Sequence, residues 1–337
     1  MKVFVAGSTG VLGRRIVTGL VARGHEVLGL ARSAENERVI ASLGAEPRRG
    51  DLFDVEALVN AARGADVVVR AATSIPRGLR MSVKDWAVND RIRRDGTKAL
   101  TECAGRIRAK LYLQEGIVWV AQPVDGSAFD EDARVRPRLW FASAADAESI
   151  AREAGDRLGF EVATLRCGSF YCADSAQTRL VGEGLVRKRL PLVGRGDAVW
   201  SNIHVDDAAT AFVAAAEAGR GGLWHVVDDR PATMAEFFGM LADLLGAPRP
   251  RAVPAWVASL VVGRRTVQFL TASTRTSNAK IRDCPLPVRD VSVLVLNIAE
   301  ARLPGLDPAR AFGRPLITCN DRLRRPQPRR VRHVDLA

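Results

Sequence analysis

Tyrosine and histidine are scarce in this sequence. The 337 residues include two tyrosines, Tyr112 and Tyr171, and four scattered histidines. The five cysteines show no CxxC spacing, so we expect free thiols and neither a zinc site nor a disulfide framework. The chain is therefore predicted to bind no metal.

Long apolar runs are absent as well. No stretch approaches the ~20 consecutive apolar residues that cross a bilayer, and we expect no membrane association. The sequence passes from Met1 straight into a strand pattern, which favours a cytoplasmic location over export. With 47% hydrophobic and 26% charged residues, the composition is typical of a globular protein.

Positive charge predominates, with a formal net charge of +12 and an arginine-rich segment from Arg322 to the end. Basic clusters can bind nucleic acid, but no nucleic-acid-binding motif accompanies this one. We therefore expect no nucleic-acid partner. The same positive charge would attract an anionic cofactor.

A glycine-rich turn at the N-terminus gives the strongest signal. The apolar run Val3–Ala6 is followed by Gly7, Gly10 and Gly13 and then by an amphipathic helical pattern. The first glycine permits a tight turn, the second a close approach of a pyrophosphate, and the third close packing of helix on strand. The helix N-terminus would face the phosphates, so the sequence predicts a bound dinucleotide.

Strand and helix patterns alternate through the first half, which predicts an α/β fold of the Rossmann type. We expect a doubly wound parallel sheet with a small C-terminal substrate domain. The predicted dinucleotide-binding domain comprises 1–168 plus about 197–222, and the substrate domain about 169–196 and 223–283. Residues 284–337 form a divergent basic extension whose end we expect to be disordered.

Several motifs resemble the extended short-chain dehydrogenase/reductase superfamily, in its NAD-dependent epimerase/dehydratase branch. After the glycine turn come Gly50-Asp51-Leu52, Val67–Ala72, Asn89 with Asp95–Leu100, and Ile203–Ala209. The resemblance implies a substrate site in the cleft between the two domains and a homodimer formed through two long helices. It also implies cofactor contacts at Gly7, Thr9, Gly10, Val11, Leu12, Gly13, Asp51, Leu52, Ala71, Ala72, Thr73, Cys167 and Gly168.

The choice between NAD and NADP is predicted at the end of the second strand. A carboxylate there would bind the ribose hydroxyls of NAD, but this chain has Arg32 and Ser33. A guanidinium and a hydroxyl suit a 2′-phosphate, so NADP is expected and NAD is less favoured.

The family's three catalytic positions are altered. The resemblance implies a Ser or Thr after strand five, followed by Tyr-x-x-x-Lys on the next helix. Trp140 stands at the tyrosine position, Ala144 at the lysine position and Gly116 at the hydroxyl position. A shift of one residue gives Phe141 and Ala145, which restores neither function.

Two residues are candidates for a substitute proton donor. Glu115 ends the fifth strand, where a partly buried carboxyl could act as acid or base, although it could equally cap a helix. Tyr171 lies on the nicotinamide-side loop and could equally be a packing residue. A catalytic role is less favoured for His204, whose motif is mainly architectural in the family.

Tryptophans mark the predicted substrate pocket. Trp200 replaces an arginine that binds diphosphate in nucleotide-sugar members, and Trp140 and Trp119 add aromatic surface. We therefore predict a tailoring enzyme of secondary metabolism that acts on a hydrophobic, aromatic or polyketide-type carbonyl compound. The alternative is a non-redox protein, either an isomerase or cyclase or a cofactor-binding scaffold or sensor.

Overall fold

The computed structural model describes residues 1–76, 82–138 and 140–283. Its strands are β1 Lys2–Ala6, β2 Glu26–Ala31, β3 Glu46–Arg49, β4 Val67–Arg70, β5 Leu111–Ile117, β6 Glu161–Cys167, β7 Ser169–Tyr171, β8 Leu192–Val193, β9 Val199–Trp200, β10 Asn202–His204, β11 Gly222–Val226, β12 Ala232–Thr233 and β13 Ala252–Val253. The predicted basic extension, residues 284–337, lies outside the described residues.

The α-helices are α1 Val11–Ala22, α2 Ala34–Ser42, α3 Val55–Ala61, α4 Ala87–Arg91, α5 Thr97–Arg106, α6 Ala142–Leu158, α7 Ala176–Val186, α8 Val205–Ala218, α9 Met234–Leu244, α10 Ala255–Val262, α11 Arg264–Leu270 and α12 Ala279–Asp283. A π-helical turn at Ile92–Gly96 joins α4 to α5. None of these helices combines the length and apolar character that would let it cross a membrane.

Seven parallel strands form the central sheet in the order β11-β6-β5-β4-β1-β2-β3. This confirms the predicted doubly wound α/β fold. The order reverses between β1 and β4, and the loops that follow these two strands meet at the carboxyl edge. That edge is the binding position in open parallel sheets.

Successive side chains of each strand point to opposite faces of the sheet, and each face packs against an apolar layer. Val3 and Val5 of β1 face one layer with α1 and α8, whereas Phe4 and Ala6 face the other with α5. Both faces of the sheet are covered, so the central strand β1 is apolar and almost fully buried from Val3 to Ala6.

The remaining short strands pair two by two outside this sheet, β7 with β10, β9 with β12 and β8 with β13. The separate substrate unit stays a prediction of the sequence. The sequence division placed the strand near 223–227 in this unit, but β11 pairs with β6 as the outermost strand of the main sheet. Helix α9 begins after Thr233, whose hydroxyl accepts a hydrogen bond from the amide of Glu236 at 3.1 Å in a capping box.

Candidate active site

The first turn is shaped by glycines that leave no room for side chains. Gly7 has φ +96°, and a Cβ there would lie 2.6 Å from the amide nitrogen of Ala72. A Cβ on Gly13 would lie 2.0 Å from the carbonyl oxygen of Gly7. Helix α1 therefore packs directly on the turn, and the turn packs on the loop after β4.

The N-terminus of α1 is suited to an anion. Its N-cap, Gly10, provides no side-chain hydrogen bond, and the first turn contains no acidic residue. The amide of Gly10 donates to the carbonyl of Gly7 at 2.9 Å, which closes the turn. Thr9, Val11 and Leu12 complete this segment, which fits a dinucleotide pyrophosphate.

The residues after β2 carry no carboxylate. Arg32 is exposed, and its carbonyl accepts a hydrogen bond from Arg49 at 3.1 Å. The Ser33 hydroxyl caps α2 by accepting a hydrogen bond from the amide of Asn36 at 3.3 Å. Ser33 thus has a structural role that the sequence interpretation did not assign, whereas the Arg32 side chain is available to a ligand.

The predicted adenine-side pair lies in the turn after β3. One carboxylate oxygen of Asp51 accepts a hydrogen bond from the amide of Phe53 at 2.9 Å. Leu52 is buried and packs closely on Gly96 of the π-helical turn. The Leu52 side chain therefore packs the turn after β3 against the start of α5.

The loop after β4 is held from behind by one amide side chain. Ala71 is buried, Ala72 is half-buried and Thr73 is exposed. The Oδ1 atom of buried Asn89 accepts a hydrogen bond from the amide of Ser74 at 2.8 Å. The loop is therefore fixed against α4 beside the glycine turn.

The predicted nicotinamide-side loop begins at the end of β6. A Cβ on Gly168 would lie 2.4 Å from the carbonyl oxygen of Ser201, so β7 and β10 approach closely there. Cys167 is fully buried, and burial raises the pKa of its thiol well above the ordinary value, with Glu115 adding to the rise. This thiol is therefore neutral and does not act as a nucleophile.

Gly116, at the position of the family hydroxyl, adjoins a buried ion pair. Arg166 donates two hydrogen bonds to the carboxylate of Glu148, at 3.0 and 2.7 Å. A Cβ on Gly116 would lie 3.1 Å from Glu148 Oε1 and 3.2 Å from Arg166 Cγ. A serine at Gly116 would thus crowd this pair.

The two positions of the family's Tyr and Lys are buried in apolar surroundings. Trp140 stacks on Trp86 with ring centroids 5.6 Å apart and an interplanar angle of 9°. Ala144 is 4% exposed and packs in the same part of the core as Phe141. No proton-exchanging side chain occupies either position.

Trp200 and Trp119 extend this arrangement. Their rings lie 5.9 Å apart at 88°, and the indole of Trp200 donates to the carbonyl of Ala272 at 3.1 Å. Phe269 of α11 contacts both tryptophans and Trp140. We call the six rings the aromatic cluster; its members are Trp86, Trp119, Trp140, Phe141, Trp200 and Phe269.

Three indole N–H groups in the aromatic cluster lack a partner. The Nε1 atoms of Trp86, Trp119 and Trp140 are buried, and each makes no hydrogen bond within the described residues. Buried donors are normally satisfied, so these are candidate contacts for an acceptor group on a ligand. Trp140 thus keeps a hydrogen-bond donor at the predicted tyrosine position but cannot act as a general acid or base.

Glu115 lies on the opposite face of the sheet from Gly116. It pairs with Leu165, whose side chain packs in the apolar layer with α1 and α8. The side chain is 4% exposed, and its Oε2 has no hydrogen-bond partner among the described residues. The structure therefore separates Glu115 from the Trp140 position on α6.

Tyr171, at the end of β7, lies in a cluster of buried polar side chains with His204 and Asp228. Its ring contacts His204 at 5.2 Å, and its hydroxyl lies near the buried carboxyl of Asp228. Burial, aided by Asp207 and Asp229, raises the pKa of Asp228 to about 7. Burial and Asp228 raise the pKa of Tyr171, which keeps the phenol protonated.

Sequence reasoning did not find three buried groups. Arg70 ends β4 and donates to the carbonyl of Glu115; a charged residue closing an otherwise apolar strand was the available signal. Arg93 is buried on the π-helical turn with Nη1 unpartnered among the described residues, and burial lowers its pKa. The sequence gives no local indication of that burial, nor of the raised pKa of Asp228.

The chain matches the model of the NAD dependent epimerase/dehydratase family over residues 3–226. A 3-diazoavenalumate denitrifying reductase from a Streptomyces species is 34% identical over 297 residues, covering 84% of this chain and 94% of that protein. A 4-hydroxy-2-methyl-3-oxo-4-farnesyl-3,4-dihydroquinoline-1-oxide ketoreductase from Stigmatella aurantiaca is 29% identical over 252 residues, covering 73% and 74%.

Among solved structures, the UDP-glucose 4-epimerase of Thermus thermophilus, in complex with NAD, superimposes with a TM-score of 0.71. It is 22% identical, and the match covers 90% of this chain and 99% of that one. Solved neighbours of this fold were determined with NAD or NADPH. The glycine turn, the sheet order and these matches together establish that the chain belongs to the NAD-dependent epimerase/dehydratase family of nicotinamide-dependent enzymes.

Proposed function

We propose that this chain is an NADP-dependent reductase that delivers a hydride to a hydrophobic aromatic metabolite without the family's proton relay. The observation that carries the proposal is a contrast within one site. The dinucleotide turn keeps every glycine, whereas Gly116, Trp140 and Ala144 leave the three predicted catalytic positions without a general acid or base.

The residues present fit the cofactor. The glycine turn and the α1 N-terminus would hold the pyrophosphate, and Arg32 would pair with a 2′-phosphate. When bound, the nicotinamide supplies a hydride. The protein would exclude water through the aromatic cluster and orient the substrate with the indole N–H groups of Trp119 and Trp140.

Reductions differ in whether they require a proton. Replacing dinitrogen on an arenediazonium cation by hydride forms a C–H bond, breaks the C–N bond and releases N2. The charge of the cation is balanced by the hydride, so no proton from the protein is needed. The Streptomyces relative is named for removing nitrogen from a diazo substrate, which makes an aromatic diazo compound the first substrate class we propose.

Carbonyl reduction is the second candidate, because the Stigmatella relative is named a ketoreductase. A ketone that accepts hydride at carbon also needs a proton on oxygen. In this chain Tyr171, with Asp228 beside it, and Glu115 are the candidate donors, and water is the remaining source. The absence of a tyrosine and a lysine at the predicted family positions, Trp140 and Ala144, favours the diazo class.

The substrate proposal is tested by turnover with purified protein and NADPH. We expect an aryl diazo compound to give the arene, N2 and oxidised cofactor, measured by mass spectrometry and by loss of NADPH absorbance. Gly10→Ala, which should lose the cofactor, controls for uncatalysed decomposition. Oxidation with aromatic ketones alone, lost in Tyr171→Phe or Glu115→Gln, would move the assignment to carbonyl reduction.

Binding of NADPH with no oxidation across both substrate classes would instead support the non-redox alternative. Cofactor preference is tested separately with Arg32→Ala. We expect NADPH affinity to fall about tenfold or more and NADH affinity to stay unchanged, because only the 2′-phosphate contact is lost. Arg38→Ala, an exposed arginine on α2, is the matched control. Equal losses for both cofactors would contradict the NADP assignment.

A further inference from the structure

Helix α10 places its large apolar residues outward. Trp256, Leu260 and Val261 are 70%, 74% and 70% exposed, whereas the buried residue of the helix is Ala258. At 100° per residue, Trp256, Val257, Leu260 and Val261 form one continuous face. We call this the α10 face. Ordinary surface helices show the reverse pattern, so a face of this kind indicates a partner.

Arginines stand at both ends of the α10 face. Arg251 precedes β13, four residues before the helix begins, and Arg264 and Arg265 open α11 directly after Gly263 ends it. All three are exposed, and none forms an ion pair within the described residues. The helix itself carries no charged residue. An exposed tryptophan on an apolar face flanked by arginines is the pattern of a helix that lies in an anionic lipid interface.

Helix α11 connects the α10 face to the aromatic cluster. The two helices pack together, and Phe269 of α11 contacts Trp200 at 5.0 Å and Trp140 at 6.1 Å. A surface that held α10 in the interface would therefore lie one helix away from the predicted pocket. A hydrophobic substrate dissolved in lipid would have a short path to that pocket.

We infer that the α10 face docks on an anionic lipid surface. Three occupants could cover the α10 face: residues 284–337, a second copy of the chain, and anionic lipid. Charge distinguishes them. Residues 284–337 contain ten arginines and five acidic residues, so they share the sign of the arginines flanking α10. A second copy packed symmetrically on this face would bring its own arginines against them. Anionic lipid complements both features, and docking in the interface needs no spanning helix, the feature whose absence led the sequence to predict no membrane association.

The role in substrate delivery rests on the proposed function, but docking does not, so we test docking without substrate. Trp256 is the exposed one of the six tryptophans, the other five being at most 9% exposed, and its fluorescence reports on the α10 face. We expect full-length protein to co-sediment with phosphatidylcholine vesicles containing phosphatidylglycerol, with a blue shift of emission. Vesicles of phosphatidylcholine alone should bind weakly, and added salt should release the protein.

Two double variants separate the apolar and charged contributions. Leu260→Ser with Val261→Ser, and Arg264→Gln with Arg265→Gln, should each lower binding to the anionic vesicles about tenfold or more. Val124→Ser, which is 74% exposed on a loop outside the α10 face, and Arg220→Gln should leave binding unchanged. Far-UV circular dichroism checks that all variants fold.

Three outcomes would overturn the inference. Vesicle binding that survives both α10 double variants would assign it to another segment, such as the arginine-rich C-terminus. Trp256 emission already shielded from quencher in vesicle-free protein would mean that the chain itself covers the face. Shielding that depends on protein concentration, with a matching rise in mass by ultracentrifugation, would assign the face to a second copy. None of these outcomes bears on the proposed reductase activity, which the NADPH oxidation assay tests separately.

Discussion

The glycine turn and the start of α6 occupy the same edge of one sheet but differ in what they tolerate. At the turn, a single added carbon at Gly13 would overlap a backbone oxygen. At α6, the chain has exchanged whole functional groups, and the replacements Trp140 and Ala144 are buried and packed. Backbone geometry limits which residues fit in the glycine turn, whereas at the start of α6 the limit is the space available to a packed side chain.

Under the proposed function, cofactor binding and proton transfer are separable in this fold. The turn is built from backbone atoms, so its residues are fixed for steric reasons whether or not chemistry occurs. The proton relay is built from side chains on different elements, and apolar packing can replace it without disturbing the sheet. The following experiments probe each side of this difference.

The largest effect is expected at Gly13. In Gly13→Val, the Cβ would meet the carbonyl of Gly7 at 2.0 Å, and backbone cannot yield as a side chain can. We expect a loss of about 4 kcal/mol in the free energy of unfolding, measured by urea denaturation. Gly19→Ala on the same helix, whose Cβ meets only a methyl of Val213 at 3.0 Å, is the control and should lose far less.

Restoring the family lysine should be nearly as damaging. Ala144→Lys would bury an ammonium group at a site that is 4% exposed and surrounded by apolar residues. We expect a loss of about 3 kcal/mol and no gain in turnover, measured by urea denaturation and NADPH oxidation. Ala142→Lys, at an exposed position two residues earlier, should be neutral. A stable, more active Ala144→Lys would contradict the buried, apolar character of this site.

The buried carboxyl of Asp228 should give a pH-dependent effect. Burial raises its pKa to about 7, so its stabilising contribution is present below pH 4 and is lost as pH rises through 7. Asp228→Asn should reduce this slope, leaving the part that the raised pKa of Asp207 contributes, and become more stable than the parent chain at pH 8, by about 2 kcal/mol. Urea denaturation at several pH values between 4 and 8 measures it. An unchanged slope would assign the titration to another group.

A moderate effect on stability is expected at Gly116, where the resemblance implies a Ser or Thr. Gly116→Ser should crowd the pair formed by Glu148 and Arg166 and lower the free energy of unfolding by about 1–2 kcal/mol. Thermal denaturation with Gly116→Ala as comparison separates the effect of Cβ from that of the hydroxyl. A more stable Gly116→Ser would show that the ion pair has room to move.

The smallest effect on folding is expected at Gly10, where the ligand rather than the protein needs the space. A Cβ there meets only the carbonyl oxygen of Gly7 at 3.2 Å, and φ is −73°. Gly10→Ala should fold with stability within about 1 kcal/mol of the parent, yet bind NADPH about tenfold or more weakly. Isothermal titration measures the affinity. Unchanged affinity would place the pyrophosphate elsewhere.

Much of the site could be predicted because it is local in sequence. Strand, turn and helix follow one another within residues 2–22, so the glycine spacing carries its own geometry. The same holds for the missing carboxylate after β2. Strand alternation also predicts that Glu115 and Gly116 face opposite sides of the sheet. The sequence does not show which of the two sides α6 covers; the packing of the helix does.

The sequence by itself determined the sheet and its glycine turn, because each depends on residue types within a short segment. Only the tertiary structure decided that Trp140, Trp200 and Phe269, from three distant elements, share one aromatic cluster. It also decided which charges are buried, as at Arg93 and Asp228, and that α10 turns its apolar residues outward. Burial depends on what packs against a residue, and those neighbours are far away along the chain.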